Sequence, residues 1–405
     1  MVLFGKWQNR SLTISSKPNC LTVSLQQDAG ATVFSYDAAG RLWTAMLAGV
    51  SYRRGLDGKI VAKWGATPES RQRRWLEAGE ARALEETARD LAYRLQLDMH
   101  GGPVELNGVL DQIGTEFIAN AGSFSESAYA TDIARYHQVY KPVGILPPDQ
   151  YMAVVLQATE GCSFNTCTFC NFYRDRPFRI KTPESFREHV RAVAAFLGEG
   201  MSLRRTIFLG DANALVIPMP RLLPLLDIIH EDLDVEALGG IYAFLDGFSG
   251  ERKSAADFAE LARRGLKRVY VGMESGSARL LQFLKKPGKP EDVIAAVRNM
   301  KSAGVAVGII VLLGAGGQAY AREHVVDTIA AINAMGLDLD DIVYFSELIE
   351  SEGLEYTRDA FDARLQPLTP QERLRQAEQI ERALVFSEEG GTPHISRYDI
   401  REFVY

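Results

Sequence analysis

The chain has 405 residues, with 45 Lys and Arg against 52 Asp and Glu, a formal net charge of -7, and 46 % hydrophobic and 24 % charged residues. That balance excludes a disordered chain and a fibrous repeat, and four cysteines exclude a disulfide-stapled secreted scaffold. The longest apolar run, Val305 to Ala315, is too short to cross a bilayer, and the N-terminal stretch lacks the apolar block and cleavage site of a signal peptide, so a cytoplasmic protein with no membrane partner is expected.

Residues 1–66 read as a β-rich module. Ala31–Tyr36 and Leu42–Met46 flank the turn Asp37-Ala-Ala-Gly40, and Asp57-Gly58 joins Val50–Tyr52 to Lys59–Lys63. This module carries 8 basic and 3 acidic side chains, whereas the rest carries 37 and 49. A local basic excess can attract an anionic partner. Without an arginine-rich tail or zinc-finger spacing it reads as solvated surface, and no nucleic-acid partner is expected. Thr67-Pro68 is expected to open a long helix with the stripe Leu84, Ala88, Leu91, Leu95, stopped at Gly101-Gly102-Pro103. Residues 67–149 therefore form a helical connector. Asp98-Met-His100 begins like a cobalamin-binding motif, but Pro103 stands where that motif needs glycine, and the segment reads as a helix stop.

From residue 150 to 350 apolar strands alternate with helices. Strands are expected at 152–158, 205–210, 238–245, 268–272, 305–313 and 341–346, and helices at 182–199, 219–232, 254–265, 277–284, 290–303 and 319–335. Six such repeats make an α/β core, a partial (β/α)6 TIM-like barrel, with the site at the C-terminal strand ends. An open doubly wound sheet is the other arrangement they allow. Residues 351–405 are expected as a helical extension, marked by the capping box Thr369-Pro-Gln-Glu372.

Three of the cysteines lie in one short segment after the first of these strands: Cys162, Cys167 and Cys170, spaced C-x4-C-x2-C. Clustered thiolates in a cytosolic chain point to zinc or iron–sulfur rather than to disulfides. Structural zinc takes four ligands, the spacing also opens a plant-type [2Fe–2S] site that needs a later cysteine, and no cysteine follows Cys170. Cys20 reads as a small buried side chain. Three thiolates with one open position favour a working [4Fe–4S] cluster.

At this point the sequence resembles the radical SAM superfamily, whose usual spacing is C-x3-C-x2-C with an aromatic before the third cysteine. Phe169 stands in that place, and the first gap is one residue longer. The flanks are similar to the elongator-type proteins and the oxygen-independent coproporphyrinogen oxidases. Further segments carry the resemblance. Phe208-Leu-Gly210-Asp211-Ala-Asn213 occupies the place of the family's Gly-Gly-Glu motif, Val271-Gly-Met-Glu274-Ser275-Gly-Ser277 resembles its Gly-x-Glu-Ser-Gly-Ser, and Leu313-Gly314-Ala-Gly-Gly317 is like its glycine turn under the adenine. The resemblance implies that Cys162, Cys167 and Cys170 hold the cluster. It implies S-adenosylmethionine contacts at Phe169, Gly210, Asp211, Asn213, Glu274, Ser275 and Gly314, and at Lys286 or its neighbour Lys285 for the carboxylate. Ile310 stands where several relatives carry an acidic ribose contact.

The implied reaction is one-electron cleavage of S-adenosylmethionine to a 5′-deoxyadenosyl radical that abstracts hydrogen from a small molecule or cofactor precursor. The implied partners are that substrate and an electron donor such as flavodoxin or ferredoxin. One spare cysteine holds no second cluster, which excludes the sulfur-inserting and SPASM-type branches. Arg174, Arg176, Tyr173, Tyr242, Asp246, Glu347 and Glu350 lie near the expected rim. His230 and His324 read as structural or exposed. Two alternatives accompany this reading: an RNA-modifying radical SAM enzyme using the basic module, and a non-catalytic iron–sulfur electron carrier.

Overall fold

The computed structural model describes residues 1–27, 30–65, 72–250, 252–350 and 353–405. The chain divides into two compact units: Met1–Val143 with Arg191–Arg205 and Arg401–Tyr405, and Gly144–Val190 with Thr206–Ile400.

The first unit is built on a nine-stranded sheet. Its strands are β1 (Val2–Trp7), β2 (Arg10–Lys17), β3 (Cys20–Gln27), β4 (Gly30–Asp37), β5 (Leu42–Leu47), β6 (Val50–Arg54), β7 (Ile60–Trp64), β8 (Gln72–Trp75) and β9 (Val104–Leu106), in the order β8-β7-β6-β5-β4-β3-β2-β1-β9. Each neighbour pair is antiparallel, including the two expected hairpins. Alternation puts Leu12, Ile14, Leu21, Val23, Phe34 and Tyr36 on one face. There they share a core with α1 (Ala78–Gly101) and α2 (Gln112–Ser123), through Ala88, Ala92, Leu95, Phe117 and Ile118. The Tyr36 hydroxyl donates to the Ala88 carbonyl at 2.6 Å. A third helix, α3 (Glu126–Val139), supplies Asp132, which pairs with the buried Arg41 at 2.9 Å.

The long helix starts later than its sequence suggested. Thr67-Pro68, the expected cap, lies outside the described residues. Residues 72–75 are strand β8, paired with β7 from Val61↔Trp75 to Trp64↔Gln72. Ladder pairing with a neighbour distant in sequence outweighs the local capping signal. The helix begins at Ala78, where the Glu80 carboxylate accepts from the Glu77 backbone N–H at 2.9 Å, and it stops at Gly102 as expected.

The second unit is α/β. Strands β10 (Ala153–Gln157), β13 (Thr206–Gly210), β14 (Ile241–Leu245), β15 (Leu266–Glu274), β16 (Ala306–Leu313), β17 (Ile342–Glu347) and β18 (His394–Tyr398) form a parallel sheet in that order, so the barrel is partial and open between β10 and β18. The short pair β11 (Thr159–Glu160) and β12 (Arg179–Ile180) frames the cysteine loop. The connecting helices are α4 (Pro183–Leu197), which belongs to this unit only as far as Val190, α5 (Met219–Asp232), α6 (Gly247–Gly250), α7 (Ala255–Arg263), α8 (Ala278–Phe283), α9 (Pro290–Ser302) and α10 (Gly317–Asn333). Apart from α6, a single turn that no periodicity announced, they fall where the hydrophobic periodicity put them. Continuous apolar runs mark strands covered on both faces, as in β10, where every residue is buried.

The sheet has seven strands rather than six. The last 55 residues were expected to be helical, and they do supply α11 (Glu355–Asp362) and α12 (Pro370–Ala383), the latter capped by Thr369. They also supply β18, which pairs with β17 from Ile342↔His394 to Ser346↔Tyr398. His394-Ile-Ser-Arg-Tyr398 is a short edge segment with one aliphatic residue, too weak a pattern to announce itself.

Beneath the strand ends, Phe208, Phe244 and Tyr270 pack with ring centroids 5.0–6.1 Å apart. Asp149 accepts hydrogen bonds from the Tyr344 hydroxyl at 2.8 Å and from the Tyr270 hydroxyl, and pairs with Arg268 at 3.1 Å.

Candidate active site in the strand-end cavity

A cavity of about 220 Å³ opens at the C-terminal ends of the strands in the second unit. It is bordered by Cys162, Cys167, Cys170 and Phe169 on one side, and by Asn213, Asp246, Glu274 and Lys286 on the next.

The cysteine loop is held by its backbone. The Thr168 N–H and hydroxyl both donate to the Leu284 carbonyl, at 3.0 and 3.3 Å, and the Thr166 hydroxyl donates to the Lys285 carbonyl at 3.1 Å. Arg174 donates to the carbonyls of Cys167 at 2.9 Å and Cys170 at 3.3 Å. Arg174 therefore clasps the loop, and Arg176 pairs with Asp211 at 3.6 Å. Burial raises the Cys167 thiol and pushes Cys170 up to about 12. These are desolvated thiols that ionise on binding iron. Among the described residues no three His, Cys, Asp or Glu converge as they would around a single ion, whereas the three thiols border one larger space. Cys20 is buried in β3 and lies apart from this cavity.

Glu274 owes its position to a β-bulge. Gly272 pairs with Ile310 and Glu274 with Val311, so Met273 is the extra residue, and Glu274 takes a φ of +62°. A bulge at a strand end re-aims a side chain, and here it delivers the carboxylate to 3.3 Å from the Lys286 ammonium. Burial alone would lower the Lys286 pKa, but the charges of Glu274 and Cys167 raise it above the ordinary value. Lys285, the other lysine considered, turns outward to Glu355 and Asp359 at 2.6 and 2.9 Å.

The rest of the motif is scaffold. The Ser275 hydroxyl bonds His324 Nδ1 at 2.7 Å behind the wall. Gly276 is pressed on α10, where a Cβ would fall on the Asp327 carbonyl and 2.5 Å from the Thr328 nitrogen. Ser277 caps α8 by accepting from the Leu280 N–H at 3.3 Å. His324 is wholly buried, and burial lowers it to about 4.

Gly210, Asp211, Ser275 and Gly314, all expected to touch the cofactor, do not border the cavity. Asp211 accepts from the Gly161 N–H at 3.1 Å, fixing the start of the cysteine loop, and burial lifts it to about 6. Gly314, at φ +82°, donates its N–H to Gln376 of α12 at 2.8 Å, and Arg373 packs where its Cβ would be. Asn213 does face the cavity, and its amide bonds Ser163 at 3.2 Å and the Asp246 carboxylate. Burial raises Asp246.

Sequence reasoning missed the far wall. Ser346 of β17, Tyr398 of β18, Ile400 and Phe172 border the cavity there. The signal that could have found β18 is the turn Gly390-Gly391-Thr-Pro393, which punctuates the chain just before Ile395 and Tyr398.

The second unit is a parallel sheet with a three-cysteine loop after its first strand and a glutamate–lysine pair after its fourth. Residues 156–332 match the model of the Radical SAM superfamily. No curated protein matches the sequence. Among solved structures, the chain is similar to coproporphyrinogen III oxidase (HemN) from Escherichia coli, at 15% identity over 63% of this chain and 55% of that one with a TM-score of 0.44. It is also similar to methylornithine synthase (PylB), at 15% over 60% and 70% with a TM-score of 0.40. A third is the Elp3 of the archaeon Methanocaldococcus infernus lacking its N-terminus, at 15% over 60% and 56% with a TM-score of 0.38. The chain thus spans about half the length of the first of these.

The cofactors of the domain are a [4Fe–4S] cluster and S-adenosylmethionine, and the residues present fit them. Three thiols from one loop border a cavity that is also lined by the Lys286 ammonium and by the carboxylates of Asp246, Glu274 and Glu347. No described helix is long and apolar enough to cross a membrane.

Proposed function

We propose that this chain is a radical SAM enzyme acting on a small molecule or cofactor precursor, with its electron drawn from a carrier such as flavodoxin or ferredoxin. The observation that carries the reading is that Cys162, Cys167, Cys170, Glu274 and Lys286 border one cavity at the strand ends, within the matched residues. Together the bound cofactors supply reductive carbon–sulfur cleavage and a carbon radical that takes a hydrogen atom.

The chain's own groups do the rest. Cys162, Cys167 and Cys170 would ligate three irons and leave the fourth open. Lys286 would meet the carboxylate of S-adenosylmethionine, and Glu274, Asn213 and Asp246 its amine and hydroxyl groups. Phe169 would pack against the cofactor. Phe164, Phe248 and Tyr173 would exclude water from the reacting carbon.

The test is anaerobic reconstitution with iron and sulfide, then dithionite and S-adenosylmethionine, with 5′-deoxyadenosine measured. Formation that is lost in Cys167→Ala is the expected result. A cluster that leaves S-adenosylmethionine intact, with an EPR signal indifferent to it, would overturn the reading in favour of an electron carrier.

A further inference from the structure

The far wall of the cavity indicates what kind of substrate the enzyme takes, an inference that rests on the reading above. It is built by the seventh strand. Tyr398 is half-buried, its ring meets Tyr344 edge-on at 5.4 Å, and its hydroxyl lies in hydrogen-bonding reach of Ser346 on the neighbouring strand. The two hydroxyls are set among Ile310, Leu312, Leu348 and Ile400. A pocket of this composition holds an apolar body and reads one polar group.

Charge narrows the class. Among the described residues that border the cavity, Lys286 is the one cation, and Glu274 engages it at 3.3 Å. The cations around the rim are engaged too. Arg373 pairs with Glu347 at 3.0 Å, Arg174 donates to the Cys167 and Cys170 carbonyls, and Arg176 faces Asp211. Asp246 stands in the wall with the Asn213 amide and the Ser249 backbone N–H as partners, and the cation it feels is Lys286, which Glu274 already engages. A carboxylate or phosphate entering here would be desolvated beside Asp246 with no spare positive group to receive it, and such an unpaired buried charge is heavily disfavoured.

We infer that the substrate is an uncharged, largely apolar molecule that presents a hydroxyl or amide group to Ser346 and Tyr398. Tyr398 is the specificity-determining residue, and phosphate-bearing nucleotides are excluded.

The experiment uses cluster-loaded full-length protein with S-adenosylmethionine, and ligand-observed NMR with four probes: benzamide, toluene, benzoate and phenyl phosphate. The expected result is that benzamide binds at least about tenfold more tightly than either anion. Tyr398→Phe and Ser346→Ala should each weaken benzamide about three- to tenfold, the worth of one hydrogen bond, and leave toluene unchanged. Equal or tighter binding of an anion would overturn the inference. So would no detectable binding of benzamide, or an equal effect of the variants on benzamide and toluene. The EPR response of the wild-type cluster to S-adenosylmethionine is recorded on the same sample. Loss of that response would instead bring down the radical SAM reading.

Discussion

Replacing Lys286 by Met tests the central pair of the site. The ammonium and the Glu274 carboxylate stand 3.3 Å apart, with side chains 14% and 10% exposed. At that distance and an effective dielectric constant of about 20, their attraction is about 5 kcal/mol. Desolvation of both groups offsets much of it, so the pair as a whole adds little net stability. Removing one partner is different, because it strands a charge in a site already occupied by Asp246. Lys286→Met should therefore destabilise the cluster-free protein by about 3–5 kcal/mol. The double variant Lys286→Met/Glu274→Gln should cost clearly less than the two single changes summed. The pH dependence has a definite sign. The Lys286 pKa is raised on folding, so its contribution is complete below the ordinary lysine value of about 10.4 and is lost as pH climbs through the higher folded value. The assay is urea unfolding at neutral pH followed by circular dichroism. All four tryptophans (Trp7, Trp43, Trp64 and Trp75) belong to the first unit, so their fluorescence would not report on this one. A single variant within about 0.5 kcal/mol of wild type, or a strictly additive double, would refute the argument.

Iron and acid-labile sulfide in reconstituted protein should fall sharply in Cys162→Ala, Cys167→Ala and Cys170→Ala. They should stay at the wild-type level in Cys20→Ala, whose side chain is buried in β3. Gly276→Ala should cost about 2–3 kcal/mol in urea, since the added methyl meets backbone of α10 rather than a movable side chain. His324 titrates near 4 when folded against about 6.5 unfolded, so the unfolded chain takes the proton first. Stability is then complete above about pH 6.5 and falls as pH drops toward 4, by about 3 kcal/mol in all. His324→Gln should flatten that slope, read as the urea midpoint against pH.

Much of the second unit was legible in the sequence because its strands are buried on both faces. Runs such as 153–156 and Ala306–Leu313 carry no polar side chain, and the helices between them carry clear periodicity and caps. The cysteine triplet was equally plain, since ligand spacing on one loop is a local property. What stayed hidden depends on contacts between distant segments. Strand β8 forms because β7 offers a ladder, against a local signal for helix. Strand β18 forms because β17 has a free edge, and nothing inside His394–Tyr398 records that edge.

The same division runs through the site. Residue types and their order along the chain determined that a three-thiolate centre sits at the strand ends, followed by Glu274 and a lysine. Only the tertiary structure decided which side chains reach the cavity. The bulge at Met273 turns Glu274 inward, while Ser275 goes to His324 and Asp211 to the Gly161 N–H. Lys286 enters and Lys285 leaves, although they are adjacent in sequence. Orientation depends on register, bulges and which partner is already engaged, and those are set by the packed fold rather than by any residue's neighbours in the chain.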